Sequence, residues 1–142
     1  MTSKARGGQR KKSGNAVRLP YSEPVSTDGQ SPIFCLRHIN KKFDLKESDL
    51  TVDAKAAFAE RLQTLSSMTW SEIKRSDRHA LGTERIPIAS MNISLPANFE
   101  GEEDLTVFRY SGKKPMAGVR AGATFHILAI EREFGELYSH GS

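Results

Sequence analysis

The sequence predicts a small α+β domain in which a helical hairpin packs on a small antiparallel sheet, in the order β-α-α-β-β-β. Two observations support this prediction. In the last third of the chain, apolar runs with β-branched and aromatic residues alternate with glycines and charges, which is typical of an antiparallel meander. Upstream, an alanine-rich stretch carries apolar residues at helical spacing. The length of 142 residues is suited to one such domain.

The first 31 residues are predicted to form a disordered basic tail that precedes a single domain over residues 32–142. The tail is rich in Gly, Ser, Lys, Arg and Gln, so it cannot bury enough apolar surface to offset the entropy of ordering. It holds six Lys and Arg against two Asp and Glu, whereas the remainder holds 15 of each sign. The tail therefore carries the whole net charge of +4.

Two interpretations of the tail stay open. It is either a nucleic-acid-binding arm, whose cations neutralise phosphates and release counterions, or a solubilising extension with no defined role. The cations predicted to bind nucleic acid, five in the tail and two in a later connection, are Lys4, Arg6, Arg10, Lys11, Lys12, Lys113 and Lys114.

The domain is predicted to begin with a strand and two helices. Pro32–Ile39 is a run of apolar β-formers, which favours a strand. The first helix follows, with Phe58, Leu62 and Leu65 at helical spacing as its buried stripe.

The second helix is shorter and begins at a capping box, Thr69 with Glu72 three residues later. Trp70 is interpreted as a core anchor rather than a stacking platform for a base. After this helix, the proline-interrupted segment from Ile86 to Pro96 is predicted to be an edge strand or an extended crossing segment.

Three apolar runs are predicted to build the meander: Leu105–Tyr110, Val119–Ile130 and Phe134–Tyr138. Both faces of the second run are largely apolar, so it is interpreted as a central strand that is covered on both sides. Regular alternation puts Phe125, Ile127 and Ala129 on one face, and His126, Leu128 and Ile130 on the other.

No cofactor or metal is expected. A single cysteine, Cys35, excludes an internal disulfide and a cysteine-based zinc site. The sequence contains no GxGxxG, phosphate-loop or HExxH motif, and its four histidines lack metal-ligand spacing. No apolar run approaches the ~20 residues of a membrane helix, and the basic start is not followed by the apolar stretch of a secretory signal. We therefore expect a cytoplasmic protein without membrane association.

The last third of the chain resembles the RelE/ParE-like toxins, in particular the YoeB branch. The resemblance rests on the element order, on Arg109-Tyr110-Ser111-Gly112, on Val119-Arg120 before a long strand, and on Tyr138 with His140 at the end. It covers about residues 50–141. The chain departs from the family pattern where His126 replaces a usual arginine, in the long segment from Asp77 to Asp104, and in the neutral domain with its basic tail.

This resemblance implies metal-free cleavage of RNA. It implies that Arg109 and Arg120 hold the phosphate and that His140 acts as acid or base, with Glu84 or His79 as its partner. It also implies RNA or the ribosome as target and a cognate antitoxin as partner; the oligomeric state stays open. The alternatives are a non-catalytic interaction module, which binds a protein or nucleic acid through its tail and sheet edge, and a gyrase-poison relative. His126 is interpreted as a hydrogen-bonded core histidine rather than a catalyst.

Overall fold

The computed structural model describes residues 25–46, 49–76, 81 and 83–139. The described residues have the predicted α+β class, with the helices α1 and α2 and one sheet with the strand order β1-β5-β4-β3-β2. The sheet is mixed rather than wholly antiparallel, because β1 runs parallel to β5 while the other neighbours are antiparallel. The elements are β1 Ile33–Cys35, α1 Val52–Ser66, α2 Trp70–Arg75, β2 Glu84–Pro87, β3 Asp104–Ser111, β4 Lys114–Ala121 and β5 Thr124–Ile130.

The two helices begin at side-chain caps. The Thr51 hydroxyl accepts a hydrogen bond from the Ala54 amide at the start of α1. The predicted capping box at the start of α2 is confirmed, because Thr69 and Glu72 each accept from the other's backbone amide. These bonds satisfy amides that have no partner within a helix. None of the described helices is long and apolar enough to cross a membrane.

The helices pack on one side of the sheet, which we call the helix face. Phe58 and Leu65 of α1 are buried there, and Leu62 packs beside them half-buried. Trp70 is a core anchor, as predicted: it is 3% exposed, and its Nε1 donates to the Ala123 carbonyl at 2.9 Å.

The opposite side, which we call the second face, is covered by irregular segments instead of helices. Its strand residues include Leu105, Val107 and Leu128. The side chains that cover them come from short 3-10 turns and from the C-terminal segment: Phe43, Met91, Phe99, Leu137 and Tyr138.

The longest apolar run is a hairpin and not one strand. Gly122, with a φ of 63°, forms the turn between β4 and β5, and glycine tolerates this backbone region without steric cost. The third apolar run is not a strand either: only Tyr138 forms a bridge, to Met91. The meander therefore consists of β3, β4 and β5.

A β-bulge in β5 overturns part of the predicted facing pattern. Ala117 pairs with Ala129, but Gly118 pairs with Ile127, so Leu128 is an extra residue. As a result Leu128 and Ala129 both lie in the core of the second face, and Ile130 returns to the helix face.

The ordered domain begins before the predicted boundary at residue 31. The amides of Trp70 and Ser71 donate to the carbonyls of Gln30 and Asp28, at 2.9 and 2.8 Å. The segment thus caps the start of α2 through polar backbone contacts, which a composition argument based on apolar burial does not detect. Residues 27–30 therefore contact the domain, whereas residues 1–24 lie outside the described part of the chain. The disorder of the tail stays a prediction.

Candidate functional site

Arg109 and Arg120 lie on opposite faces of the sheet, so the phosphate site expected from this pair does not form. Arg120 is the cross-strand partner of Phe125, which belongs to the helix-face core. Arg109 is two residues after Val107, which belongs to the core of the second face. Because residues i and i+2 of a strand share a face, the register of the β3–β4 hairpin separates the two arginines.

Arg120 is held as a structural clamp on the helix face. Its guanidinium lies 4.4 Å from the centroid of the Trp70 ring, as in a cation–π contact. Its Nε donates to the Gly122 carbonyl at 2.7 Å, and its Nη2 donates to Thr27 Oγ1 at 2.9 Å and to Asp28 Oδ1 at 2.7 Å. These contacts join β4, α2 and the segment at residues 27–28.

Asp28 is shared between two cations. Besides Arg120, its carboxylate accepts a hydrogen bond from Lys74 Nζ at 2.9 Å. The hydrogen bonds from Lys74 and Arg120 hold the pKa of Asp28 below its usual range. The carboxylate therefore stays ionised at neutral pH and retains its ion pairs with Lys74 and Arg120.

Arg109 lies on the second face beside Glu84, because Glu84 is the cross-strand partner of Val107 and Arg109 follows Val107 by two residues. The buried Tyr138 belongs to the core of this face. Tyr138 is 6% exposed. Burial raises its pKa to about 12, the charges of Glu84 and Glu131 act in the same direction, and the charge of Arg109 acts against them. The charges of two predicted catalytic residues, Glu84 and Arg109, thus both influence the Tyr138 phenol. We call Glu84, Arg109, Glu131 and Tyr138 the Tyr138 cluster.

The C-terminal segment is anchored beside this cluster. Glu131 is fully buried, and its Oε2 accepts a hydrogen bond from the Leu137 amide at 2.9 Å. The Asn92 amide donates to the Leu137 carbonyl at 2.9 Å. Tyr138 is thereby fixed two residues before His140, which is outside the described residues.

His126 is not the fully hydrogen-bonded core histidine that was expected. Its Nδ1 is buried and has no hydrogen-bond partner. Its ring packs against Phe99 at 5.3 Å and lies 6.1 Å from the ring of His38. Within the described parts of the chain, no group of three or more His, Cys, Asp or Glu side chains is arranged to hold a metal.

A cavity of about 590 Å³ lies on the helix face between α2 and strands β2 to β4, and we call it the α2 pocket. The sequence reasoning missed it because its residues come from four separate elements. Only contacts between residues that are distant in the sequence define it, such as the ion pair between Arg85 and Asp104. Its lining includes Trp70, Ile73, Lys74, Thr83, Glu84, Arg85, Glu102, Asp104, Phe108 and Arg120.

The remaining predicted residues are dispersed or outside the described chain. Lys113 is exposed in the turn between β3 and β4, and Lys114 is half-buried with its Nζ 3.3 Å from the Arg132 carbonyl, to which it donates. The predicted residues outside the described ranges are Lys4, Arg6, Arg10, Lys11, Lys12, His79 and His140.

No family model matches the chain, and the comparisons with curated proteins and with solved structures also found no match. The relationship to the RelE/ParE-like toxins therefore stays a prediction from the sequence.

Proposed function

We propose that the domain is a toxin-type, metal-free endoribonuclease whose reaction centre is the Tyr138 cluster. The observation that carries the proposal is that Glu84 and Arg109 lie on the same face of the adjacent strands β2 and β3, the face whose core contains Tyr138. These two residues were assigned to catalysis from the resemblance, and Tyr138 stands two positions before His140, the proposed acid. Arg120 is excluded from this centre because it is committed to the clamp on the helix face.

The proposed reaction is an attack of the ribose 2′-oxygen on the adjacent phosphorus. The Glu84 carboxylate removes the 2′-hydroxyl proton as the P–O bond forms. Arg109 binds the phosphate oxygens as negative charge develops on them. His140 gives a proton to the departing 5′-oxygen, so the products carry a 2′,3′-cyclic phosphate and a 5′-hydroxyl.

Tyr138 supports the cluster as a neutral hydrogen-bond donor. Its raised pKa keeps the phenol protonated at neutral pH. A buried phenol of this kind orients a neighbouring carboxylate and does not compete as a second base.

RNA capture is assigned to the tail, because residues 32–142 carry no net charge. Lys4, Arg6, Arg10, Lys11 and Lys12 would bind phosphates without reading sequence. The binding constant should therefore fall steeply with salt, whereas the cleavage step should not.

The test is cleavage of a defined RNA in EDTA, with analysis of the product ends. Wild-type protein should produce cyclic phosphate termini, and Glu84→Gln should lower the rate by about 100-fold or more, as expected for loss of a general base. Arg85→Gln is the matched control, because Arg85 is the next residue of β2, is exposed, and forms its ion pair with Asp104. Equal loss in both variants, or no cleavage by the wild type, would reject the proposal.

The second candidate is a non-catalytic interaction module. It is favoured by the ion pairing of Lys74, Arg85 and Arg120 in the α2 pocket beside the edge strand β2, which suits a charged partner better than bare phosphate. A cognate antitoxin is one such partner. Binding of RNA or of a partner protein without RNA cuts would support this function over the first.

A further inference from the structure

The α2 pocket shares one lining residue, Glu84, with the Tyr138 cluster. We propose that it binds a short zwitterionic ligand of the size of a tripeptide with free termini. The inference does not depend on the proposed nuclease activity, because the charged residues that it uses, Lys74, Arg120, Asp104 and Glu102, have no part in the proposed cleavage.

The size and floor of the pocket suit a small organic ligand. Its volume of about 590 Å³ falls within the ~300–1,000 Å³ of typical ligand sites. Trp70, Ile73 and Phe108 line it with apolar surface, which favours a ligand with an apolar centre between polar ends.

One wall of the pocket has an excess of positive charge. Lys74 and Arg120 both contact Asp28, so a single carboxylate balances two cations. A ligand carboxylate placed beside Lys74 and Arg120 would complete this balance through charge-assisted hydrogen bonds.

The opposite wall has an excess of negative charge. Arg85 pairs with Asp104, and Glu102 adds a second carboxylate to the lining. A ligand ammonium group is complementary to this wall, whereas a phosphate or an RNA backbone is repelled by it.

The strand register sets the distance between the walls. Arg85, Thr106 and Gly118 are successive cross-strand neighbours on β2, β3 and β4, and Arg120 lies two residues beyond Gly118. With strands ~4.8 Å apart and ~3.3 Å per residue, the walls are on the order of 10 Å apart. An extended tripeptide of ~3.3–3.6 Å per residue spans this distance.

The experiment uses the intrinsic fluorescence of Trp70, because it is the chain's one tryptophan and it lines the pocket. The full chain is titrated with the tripeptide alanyl-phenylalanyl-alanine in four forms: free, N-acetylated, C-amidated and blocked at both ends. We expect saturable binding of the free form and at least ~10-fold weaker binding of each blocked form, since each loses one charged contact. No saturable signal up to millimolar peptide, or equal affinity for all four forms, would overturn the proposal.

Two variants separate recognition from simple loss of structure. Lys74→Gln should weaken the free peptide but not the amidated one, and Lys55→Gln, at an exposed position of α1 outside the pocket lining, should change neither. Unchanged affinity of Lys74→Gln for the free peptide would also overturn the proposal.

Discussion

The two faces of the sheet use the same residue type for different purposes. On the helix face, Arg120 is fixed by Trp70, Asp28 and two further acceptors, and it joins three parts of the chain. On the second face, Arg109 shares its side of the sheet with Glu84 and with the buried Tyr138. The comparison teaches that the identity of a residue does not assign its role, whereas strand register and neighbouring charges do.

The largest expected effect comes from the bulge that sets which residues belong to which face. A Cβ on Gly118 would lie 2.1 Å from the His126 carbonyl oxygen, a backbone atom that cannot move aside freely. Gly118→Ala should therefore lower the free energy of unfolding by about 4 kcal/mol or more, as for other large steric conflicts.

Urea unfolding measures this loss, and Gly101→Ala is its control because no atom lies within 4 Å of the added Cβ. A cost below ~1 kcal/mol at Gly118 would mean that the bulge does not hold the two faces in register.

The next effect compares how well the two faces are packed. Leu65 on the helix face and Leu137 on the second face are both fully buried. Each substitution leaves a cavity in the core. If the surrounding side chains relax into it to the same small extent on both faces, Leu65→Ala and Leu137→Ala should each lower the free energy of unfolding by about 2–5 kcal/mol. Urea unfolding of both variants checks this. A loss below ~1 kcal/mol at Leu137 alone would show that the irregular cover of the second face is loose.

A smaller effect is expected at alkaline pH on the second face. The Tyr138 phenol has a pKa of about 12 in the folded state and ~10 when unfolded. Above pH ~10 the unfolded chain releases this proton while the folded chain keeps it, so about 2–3 kcal/mol of stability is lost as the pH rises towards ~12.

Unfolding free energies measured across this range should fall less steeply for Tyr138→Phe than for the wild type. Tyr110, whose pKa is also raised by burial, leaves part of the slope in place. Identical slopes in the two proteins would contradict the placement of Tyr138 in a buried, carboxylate-rich environment.

The smallest effect is expected at acid pH on the helix face. The pKa of Asp28 is lowered in the folded state. The ionised carboxylate therefore stabilises the fold above the usual aspartate pKa of ~3.9, and this stabilisation is lost as the pH falls below that value. In Asp28→Asn, the free energy of unfolding should depend less on pH in the acid range than in the wild type, and its dependence in the alkaline range should be unchanged. A profile that changes only at alkaline pH would contradict the assignment of Asp28 to the clamp.

The sequence predicted what depends on local pattern. The fold class, the capping box of α2 and the anchoring role of Trp70 follow from helical spacing, capping chemistry and aromatic burial, and the structure confirms each. The edge strand was one of two predicted forms of the segment from Ile86 to Pro96. It is found only at the start of that segment, because β2 spans Glu84–Pro87 and Ile88–Ser90 is a 3-10 turn.

What depends on register was not predictable. The hairpin turn at Gly122 and the extra residue Leu128 change which side chains share a face, yet neither alters composition or periodicity enough to be recognised. For that reason Arg109 and Arg120 were expected in one site. The α2 pocket and the early start of the domain were missed because both depend on contacts between distant segments.

The central claim, that Arg109 acts in the reaction and Arg120 holds the fold, is tested most directly by one paired measurement. Arg109→Gln and Arg120→Gln are compared for urea stability and for RNA cleavage per folded molecule. Arg120→Gln should lose about 2 kcal/mol of stability, the size of a partly desolvated cation–π contact, and keep cleavage within ~3-fold. Arg109→Gln should keep its stability within ~1 kcal/mol and lose cleavage by ~100-fold or more. A folded Arg120→Gln protein without cleavage, beside an active Arg109→Gln protein, would contradict the account.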